Sequence, residues 1–249
     1  MNDQRQVLDM QGVAAAVGTF DFGPVSLTVA PHEIVCLVGA NGAGKTTLIN
    51  LGLGLRSPSL GTVELVGRDP NDQDRRCMAS VGYVPDDPSM LVEELTASEY
   101  WALGAALIER GDPGRSASTI VDRAMNMASH MGFDPGNKRI SSFSHGMRKQ
   151  TQIVSAFAPH HQLLVVDELA NGLDPIVTRS VNGLLAERAA AGAGVLCSTH
   201  DLAWAERIAH RIVIMERGRV LASGSVESLK DGSNERLDDV FFRLVDSAT

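Results

Sequence analysis

Short apolar runs alternate along the chain with longer segments in which apolar residues recur every three or four positions. The short runs, bounded by glycine, proline and polar residues, are typical of strands, and the recurring pattern predicts helices. Strands that alternate with helices favour an α/β fold with a mostly parallel sheet. The predicted strands are residues 7–10, 25–29, 34–38, 61–66, 80–84, 162–166, 195–198, 211–215 and 219–222, and helices are predicted between the later strands at 175–190 and 203–209.

Two segments depart from this alternation. The first two strands follow each other without a helix, which predicts a small antiparallel side sheet. Residues 87–157 carry helical patterns at 96–110, 117–131 and 144–157, so we expect a helical subdomain inserted into a single domain of residues 1–249. Thr96, with Glu99 at the capping-box position, predicts where the first of these helices begins.

The run at 34–38 leads into a glycine-rich loop at residues 39–47, Gly-Ala-Asn-Gly-Ala-Gly-Lys-Thr-Thr, and a helical segment follows. This order fits the G-x-x-x-x-G-K-[ST] pattern of loops that bind nucleoside triphosphates. Glycine lets backbone N–H groups approach phosphate oxygens, Lys45 can reach the terminal phosphates, and the Thr46 hydroxyl can ligate Mg²⁺. The residues predicted to surround the triphosphate are Gly39, Asn41, Gly42, Ala43, Gly44, Lys45, Thr46 and Thr47.

Two acids and a histidine follow apolar runs in the second half of the chain. Asp167 and Glu168 come directly after the run at 162–166, and His200 follows the run at 195–198. Because parallel strands face their ligand at their carboxyl ends, we expect these side chains near the glycine-rich loop. In P-loop proteins such an aspartate holds the Mg²⁺ shell, and the adjacent glutamate is placed to orient or deprotonate an attacking water. His200 is predicted to reach the terminal phosphate or that water.

The charge balance argues against binding to nucleic acid. The formal net charge is −8 and aromatic residues make up 4% of the chain, so neither a basic stripe nor a base-stacking platform is indicated. The widely spaced Cys36, Cys77 and Cys197 predict buried reduced thiols, and not a zinc site. Apolar runs are too short for a membrane-spanning helix, so we expect contact with a membrane only through another protein.

Together, these motifs resemble the nucleotide-binding subunit of an ABC (ATP-binding cassette) transporter. The family's signature, commonly Leu-Ser-Gly-Gly-Gln, is similar to residues 143–147, Phe-Ser-His-Gly-Met. Its D-loop is similar to residues 171–175, Asn-Gly-Leu-Asp-Pro, and residues 82–86, Gly-Tyr-Val-Pro-Asp, stand where its Q-loop belongs. The resemblance covers about residues 7–230, and it implies an ABC ATPase fold: a P-loop core, an antiparallel side sheet and an inserted helical subdomain.

The sequence departs from the family pattern at three places. Asp86 replaces the Q-loop glutamine that the family uses near Mg²⁺ and the attacking water, so we expect Asp86 to take a catalytic or metal-binding role. His145 and Met147 replace a glycine and a glutamine of the signature, and this form resembles exporters of the ABC-2 type. Leucine and alanine at residues 169–170 replace the family's Pro-Thr, a change that bears on the geometry of the D-loop.

The resemblance implies that one chain forms half of a site. ATP and Mg²⁺ are the expected cofactors, and Ser144 and Gly146 are expected to bind the ATP of a second nucleotide-binding subunit, most simply another copy of this chain. The other partner is expected to be an integral membrane permease that exports a drug, peptide or lipid-like substrate. The chain would then be cytoplasmic, on the inner face of the cell membrane.

Two alternatives remain open at this stage. An ABC-type ATPase that acts on a ribosome or DNA is disfavoured by the acidity of the chain. A weakly hydrolysing ATP sensor is disfavoured because Glu168 and His200 are both present.

Some aromatic and histidine residues outside the motifs have two interpretations. Phe20 and Phe22 are candidates to stack on adenine, or both belong to the core. Tyr100 and Trp101 follow the Q-loop segment, on a surface that receives the permease in this family, so they either contact a partner or pack internally. The histidine pair at residues 160–161 is interpreted as an exposed turn and not as a metal site.

Overall fold

The computed structural model describes residues 5–18, 20–72, 75–169, 173–230 and 236–248. Its strands form two sheets. The strands are β1 (Leu8–Val17), β2 (Phe20–Val29), β3 (Ile34–Val38), β4 (Leu60–Leu65), β5 (Val81–Val84), β6 (Leu163–Asp167), β7 (Gly194–Thr199), β8 (Arg211–Glu216) and β9 (Arg219–Gly224). The helices are α1 (Lys45–Gly52), α2 (Ala97–Gly111), α3 (Ala117–His130), α4 (His145–Phe157), α5 (Pro175–Ala190), α6 (Leu202–Ile208), α7 (Val226–Leu229) and α8 (Leu237–Ala248), with short 3₁₀ helices at Arg75–Ser80 and Ile140–Ser142.

The larger sheet has the strand order β5–β6–β7–β3–β8–β9, and its neighbours are parallel except for β8 with β9. Every residue of β3, β6 and β7 is buried, which explains why these strands are continuous apolar runs in the sequence. Their carboxyl ends lie at one edge of the sheet, so the residues that follow them meet there. The predicted α/β fold with a mostly parallel sheet is confirmed.

The smaller sheet is antiparallel, in the order β2–β1–β4, as predicted. β1 extends well beyond the predicted run at residues 7–10, and β2 likewise begins earlier than predicted. The pairing of β1 with β2 shifts register between Met10 and Val13, and Gly12 between them has a φ of 58°. A bulge therefore carries β1 through a glycine that the sequence pattern treats as a break, and Ala15 is still buried beyond it.

Apolar side chains cover both faces of the larger sheet. Alternate residues of β3 belong to different clusters: Leu37 lies in the cluster shared with α1 and the smaller sheet, and Cys36 in the cluster beneath α5, α6 and α8. Leu48 of α1 and Trp204 of α6 are both at most 1% exposed in these clusters. Because apolar side chains cover both faces of the larger sheet, the polar residues of its central strands lie at the carboxyl ends of those strands.

The helices α2, α3 and α4 pack around a third apolar cluster. Within it, the rings of Trp101 and Phe143 each meet Phe133 edge-on, with centroid distances of 6.3 and 6.2 Å. α2 begins at the predicted capping box, where Glu99 N–H donates to Thr96 Oγ1 (3.3 Å) and Thr96 N–H donates to Glu99 Oε2 (2.8 Å). Helix α4 connects this cluster to the larger sheet, because Val154 packs in the third cluster and Ile153 in the cluster beneath α5.

The structure buries Trp101, which had two interpretations, and His161, which was interpreted as exposed. Trp101 is 2% exposed and its indole N–H donates to the Thr151 carbonyl (3.1 Å), so internal packing accounts for it. The interpretation of residues 160–161 as an exposed turn is wrong for His161, which is 7% exposed beneath β5. Burial and the nearby Arg115 lower the pKa of His161 to about 3, so the ring is neutral at physiological pH.

Two further expectations concern burial and membrane contact. Cys36, Cys77 and Cys197 are free and buried, as predicted. In the parts of the chain described here, the helices lack the combination of length and apolar character that crossing a bilayer requires.

Candidate nucleotide-binding and catalytic site

A cavity of about 320 Å³ lies at the loop between β3 and α1. It contains the predicted triphosphate-binding residues from Asn41 to Thr47, together with three side chains from other parts of the chain. Gly39 lies at the start of the loop, where its carbonyl accepts a hydrogen bond from Lys45. The cavity is lined by Phe20, Asn41, Gly42, Ala43, Gly44, Lys45, Thr46, Thr47, Asp86 and Glu168.

The backbone of the loop needs glycine at two positions. Gly42 and Gly44 have φ values of 83° and 101°, a region that other residues enter only with strain. A Cβ atom on Gly44 would also lie 2.9 Å from the ring of Phe22. Gly44 is the N-cap of α1 and offers no side-chain cap, so the first N–H groups of the helix face the cavity edge without a side-chain acceptor. Such a helix start is a site for an anion.

Lys45 is only 6% exposed. Its ammonium group donates to the carbonyls of Gly39 (2.7 Å) and Ala40 (3.3 Å) and lies 3.2 Å from Glu168 Oε1. The lysine therefore joins the loop to the end of β6. A buried ammonium in this position can attract the phosphates of a nucleotide.

Asp167, the last residue of β6, is 1% exposed. Thr46 Oγ1 donates to Asp167 Oδ2 (2.8 Å), and Ser198 Oγ donates to the other carboxylate oxygen. Burial raises the pKa of Asp167, while the hydrogen bonds from Ser198 and Thr46 act in the opposite direction. The contact between Thr46 and Asp167 brings together two oxygen groups of the kind that Mg²⁺ prefers.

Glu168 is 8% exposed and has a φ of 47°. Its backbone N–H donates to both the carbonyl (3.2 Å) and the hydroxyl (3.1 Å) of Ser198. Its Oε2 lies 2.9 Å from Nδ1 of His200, at the end of β7. A left-handed conformation is strained in a residue with a side chain, and such strain is characteristic of functional sites.

The segment that carries Asp86 is held by helix α4. Lys149 is completely buried, and its ammonium group donates to the carbonyls of Pro85 (2.7 Å) and Asp86 (3.3 Å). Gln152, one turn later, donates to the Asp87 carbonyl (3.1 Å). Burial lowers the pKa of Lys149, and the negative charge of Asp86 is the strongest opposing influence.

Sequence reasoning missed Lys149 and Ser198. Both stand beside recognised motifs, but a lysine in a helix is usually exposed and a serine in a strand has no chemical signature of its own. Only the packing of α4 on the segment after β5, and of β7 on β6, shows what they contact.

Ser144 and Gly146 do not line the cavity of their own chain. Ser144 is exposed at the N-cap of α4, where its Oγ accepts a hydrogen bond from Met147 N–H (3.3 Å). Gly146 is half-buried in the first turn. Of the D-loop residues, Asn171 and Gly172 lie outside the described residues, as does Ala170, whereas Asp174 caps α5 through Ile176 and Val177 N–H.

Phe20 and Phe22, the two candidates to stack on adenine, differ in their surroundings. Phe20 is half-buried and lines the cavity, whereas Phe22 is 2% exposed and packs beneath Gly44 in the core. Only Phe20 of these two can meet a ligand in the cavity.

Comparisons with known proteins point to one family. A profile of the family described as "ABC transporter" matches residues 22–171. The ABC-type transporter ATP-binding protein EcsA of Bacillus subtilis is 34% identical over 224 residues, which cover 88% of each chain. The Nod factor export ATP-binding protein I of Paraburkholderia xenovorans is 32% identical over 82% of this chain and 66% of its own length.

A solved structure of an ATP-binding subunit of an ABC transporter superimposes on this chain with a TM-score of 0.89. The two are 30% identical in sequence, and the match covers 96% of this chain and 99% of that one. The resemblance that the motifs indicated is thereby confirmed over nearly the whole fold. The chain belongs to the ABC transporter family, as one of its ATP-binding, ATP-hydrolysing subunits.

Proposed function

We propose that ATP hydrolysis by this chain drives a separate membrane permease that exports its substrate. The observation that carries the proposal is the convergence of Lys45 and His200 on the two carboxylate oxygens of Glu168, beside the hydrogen bond between Thr46 and Asp167. The similarity to Nod factor export proteins supports export as the direction of transport. The substrate would be a drug, peptide or lipid-like molecule.

The phosphates of ATP would lie at the N-terminus of α1, inside the loop of residues 39–47. The uncapped helix start and the Lys45 ammonium group supply positive charge there. Mg²⁺ would be held by the Thr46 hydroxyl and the Asp167 carboxylate, with Asp86 as a further carboxylate in the cavity lining, and it would neutralise charge on the phosphates. Phe20 is the side chain that would stack on adenine.

Glu168 would act as the general base. Its carboxylate is held on one oxygen by His200 and lies close to Lys45 on the other, so its orientation is fixed before the reaction. The water that attacks the terminal phosphorus would transfer its proton to Glu168 as ADP leaves. His200 would keep the carboxylate and the attacking water aligned.

The second wall of each ATP site would come from another copy of the chain. Ser144 and Gly146 stand at the start of α4, where a hydroxyl and helix N–H groups suit a phosphate, and they are outside the cavity of their own chain. Two chains arranged head to tail would enclose two ATP molecules between the loop of one and the α4 start of the other. Hydrolysis would then separate the pair, and that motion would be passed to the permease.

The permease would bind in a groove between α2 and β5. This groove has a volume of about 380 Å³ and contains Tyr100, together with Met90 and Leu107, which are 64% and 60% exposed. Large exposed apolar side chains around a concave surface are typical of a site for a partner helix. Pro85 and Gln152 lie in the same groove, so the occupant would touch the segment that carries Asp86. A subunit bound there would be cytoplasmic, on the inner face of the membrane.

The experiment that tests the proposal combines capture and catalysis. The tagged chain, purified from detergent-solubilised membranes of cells that express it, is expected to bring an integral membrane protein with it. Met90→Asp and Leu107→Asp should abolish this recovery without changing the ATP turnover of the isolated chain, because they add charge to the groove and lie outside the nucleotide cavity. Leu60→Asp, at a residue that is 68% exposed on the smaller sheet, is the matched control and should leave recovery intact.

The outcomes separate the proposal from its two rivals. Recovery of ribosomal proteins or nucleic acid, unaffected by the groove variants, would favour an ATPase that acts on a non-membrane partner. Tight binding of ATP without turnover by the wild-type chain would favour an ATP sensor.

A further inference from the structure

The nucleotide cavity has an excess of carboxylates where it must accept an anion. Asp86 and Glu168 line it, and Asp167 lies directly behind Thr46. A triphosphate beside these groups is favoured only if cations offset the like charges. Lys45 offsets them on the side of the loop.

A second buried cation, Lys149, lies against the segment that carries Asp86. Lys149 reaches out of α4 and is completely buried, although an ammonium group is costly to remove from water unless charge and hydrogen bonds compensate. Its hydrogen bonds go to the Pro85 and Asp86 carbonyls, at 2.7 and 3.3 Å. Burial lowers the pKa of Lys149, and the negative charges of Asp86, Asp167, Glu168 and Asp87 act in the opposite direction, that of Asp86 most strongly.

We propose that Lys149 is a positioning residue whose positive charge makes an aspartate usable at position 86 and fixes that aspartate against the cavity. The inference rests on the proposed ATPase function and deepens it. A glutamine at position 86, which the family uses, carries no charge and would not require a cation behind it. Lys149 and Asp86 therefore form a pair whose members depend on each other.

Helix α4 carries residues of one half of the proposed two-chain site and contacts the segment of Asp86 in the other half. Ser144 caps α4, and Lys149 lies little more than one turn further along the same helix. Gln152 adds a hydrogen bond to the Asp87 carbonyl (3.1 Å), so α4 holds three consecutive carbonyl groups of the segment after β5. A displacement of this segment would be passed through Lys149 to the residues that are proposed to contact the partner's ATP.

A double-mutant cycle on the full-length chain tests the pairing. Lys149→Gln, in the presence of Asp86, is expected to lower kcat about tenfold with little change in KM for Mg-ATP, whereas in the Asp86→Gln background the same change should cost less than about twofold. The loss in that background is measured against the kcat of Asp86→Gln alone. If Lys149 had only a structural role, Lys149→Gln would lower kcat by the same factor with aspartate or glutamine at position 86. That result would overturn the inference.

Two further variants keep the test decisive. Arg188→Gln removes another buried cation, one that donates to the Phe157 carbonyl (2.8 Å) away from the cavity, and its effect should be the same whether residue 86 is acid or amide. Lys149→Arg retains the charge and should keep turnover within about threefold of wild type, so a loss as large as that of the glutamine variant would count against the pairing. If the wild-type chain binds Mg-ATP without turning it over, the proposed ATPase function fails, and not the pairing alone.

Discussion

At the scale of single residues, Ser198 orients both acids of the site. Its hydroxyl donates to Asp167 and accepts from Glu168 N–H, which supports the strained backbone of the glutamate. The sequence could predict both acids, because acids that follow an apolar strand in a P-loop protein are recognisable. It could not predict the serine, because its role arises from the register of two strands, in which Asp167 pairs with Ser198.

Ser198→Ala is expected to lower kcat about tenfold and to leave the affinity for ATP nearly unchanged, because it affects the acids but not the loop that is proposed to bind phosphate. It should also shift the pH profile. The hydrogen bond from Ser198 lowers the pKa of Asp167, which burial raises, so the loss of this bond raises the pKa further. The acidic limb of kcat/KM against pH should therefore move to higher pH.

Ser180→Ala is the control for this measurement. Ser180 is exposed on α5, and its hydroxyl donates only to the Ile176 carbonyl of its own helix (3.2 Å). Its profile should coincide with that of wild type. An unshifted acidic limb in Ser198→Ala would mean that the serine does not act through Asp167.

At the scale of elements, local chemistry predicts helices better than it predicts the smaller sheet. The capping box fixes the start of α2, and Pro175 after the Asp174 cap fixes the start of α5. β1 was predicted too short because Gly12 resembles a strand end, whereas cross-strand pairing absorbs it as a bulge. A helix cap is an interaction between residues that are close in sequence, so a local sequence pattern can show it. Strand pairing depends on a distant segment, so a local pattern does not show it.

Thr96→Ala should destabilise the protein by about 1 kcal/mol, because it removes the Thr96 hydroxyl that accepts a hydrogen bond from Glu99 N–H in the capping box of α2. Chemical denaturation measures this as a lower midpoint at an unchanged slope. Ser116 is also an N-cap, at α3, but its side chain makes no capping hydrogen bond, so Ser116→Ala should have a clearly smaller effect. Equal losses in the two variants would show that the capping box contributes nothing specific.

At the scale of the whole molecule, the loop of residues 39–47 is the proposed first wall of a nucleotide site, and the proposed second wall is Ser144 and Gly146 of another copy. The sequence contained both walls as motifs, and the family resemblance assigned them to different subunits. What it could not predict is how α4 connects them, because Lys149 is identified only by its burial and its contacts with Pro85 and Asp86.

The central claim is that Glu168 activates water in an ATP site that two chains share. Glu168→Gln keeps the shape of the side chain and removes its ability to accept a proton, so Mg-ATP turnover should fall by at least about a hundredfold while ATP binding persists. Because ATP is then not consumed, light scattering with Mg-ATP should give the mass of two chains for this variant and of one chain without nucleotide. Glu187→Gln, at an exposed glutamate on α5, should behave as wild type. A Glu168→Gln chain that hydrolyses ATP at the wild-type rate, or that stays monomeric when saturated with Mg-ATP, would contradict the account.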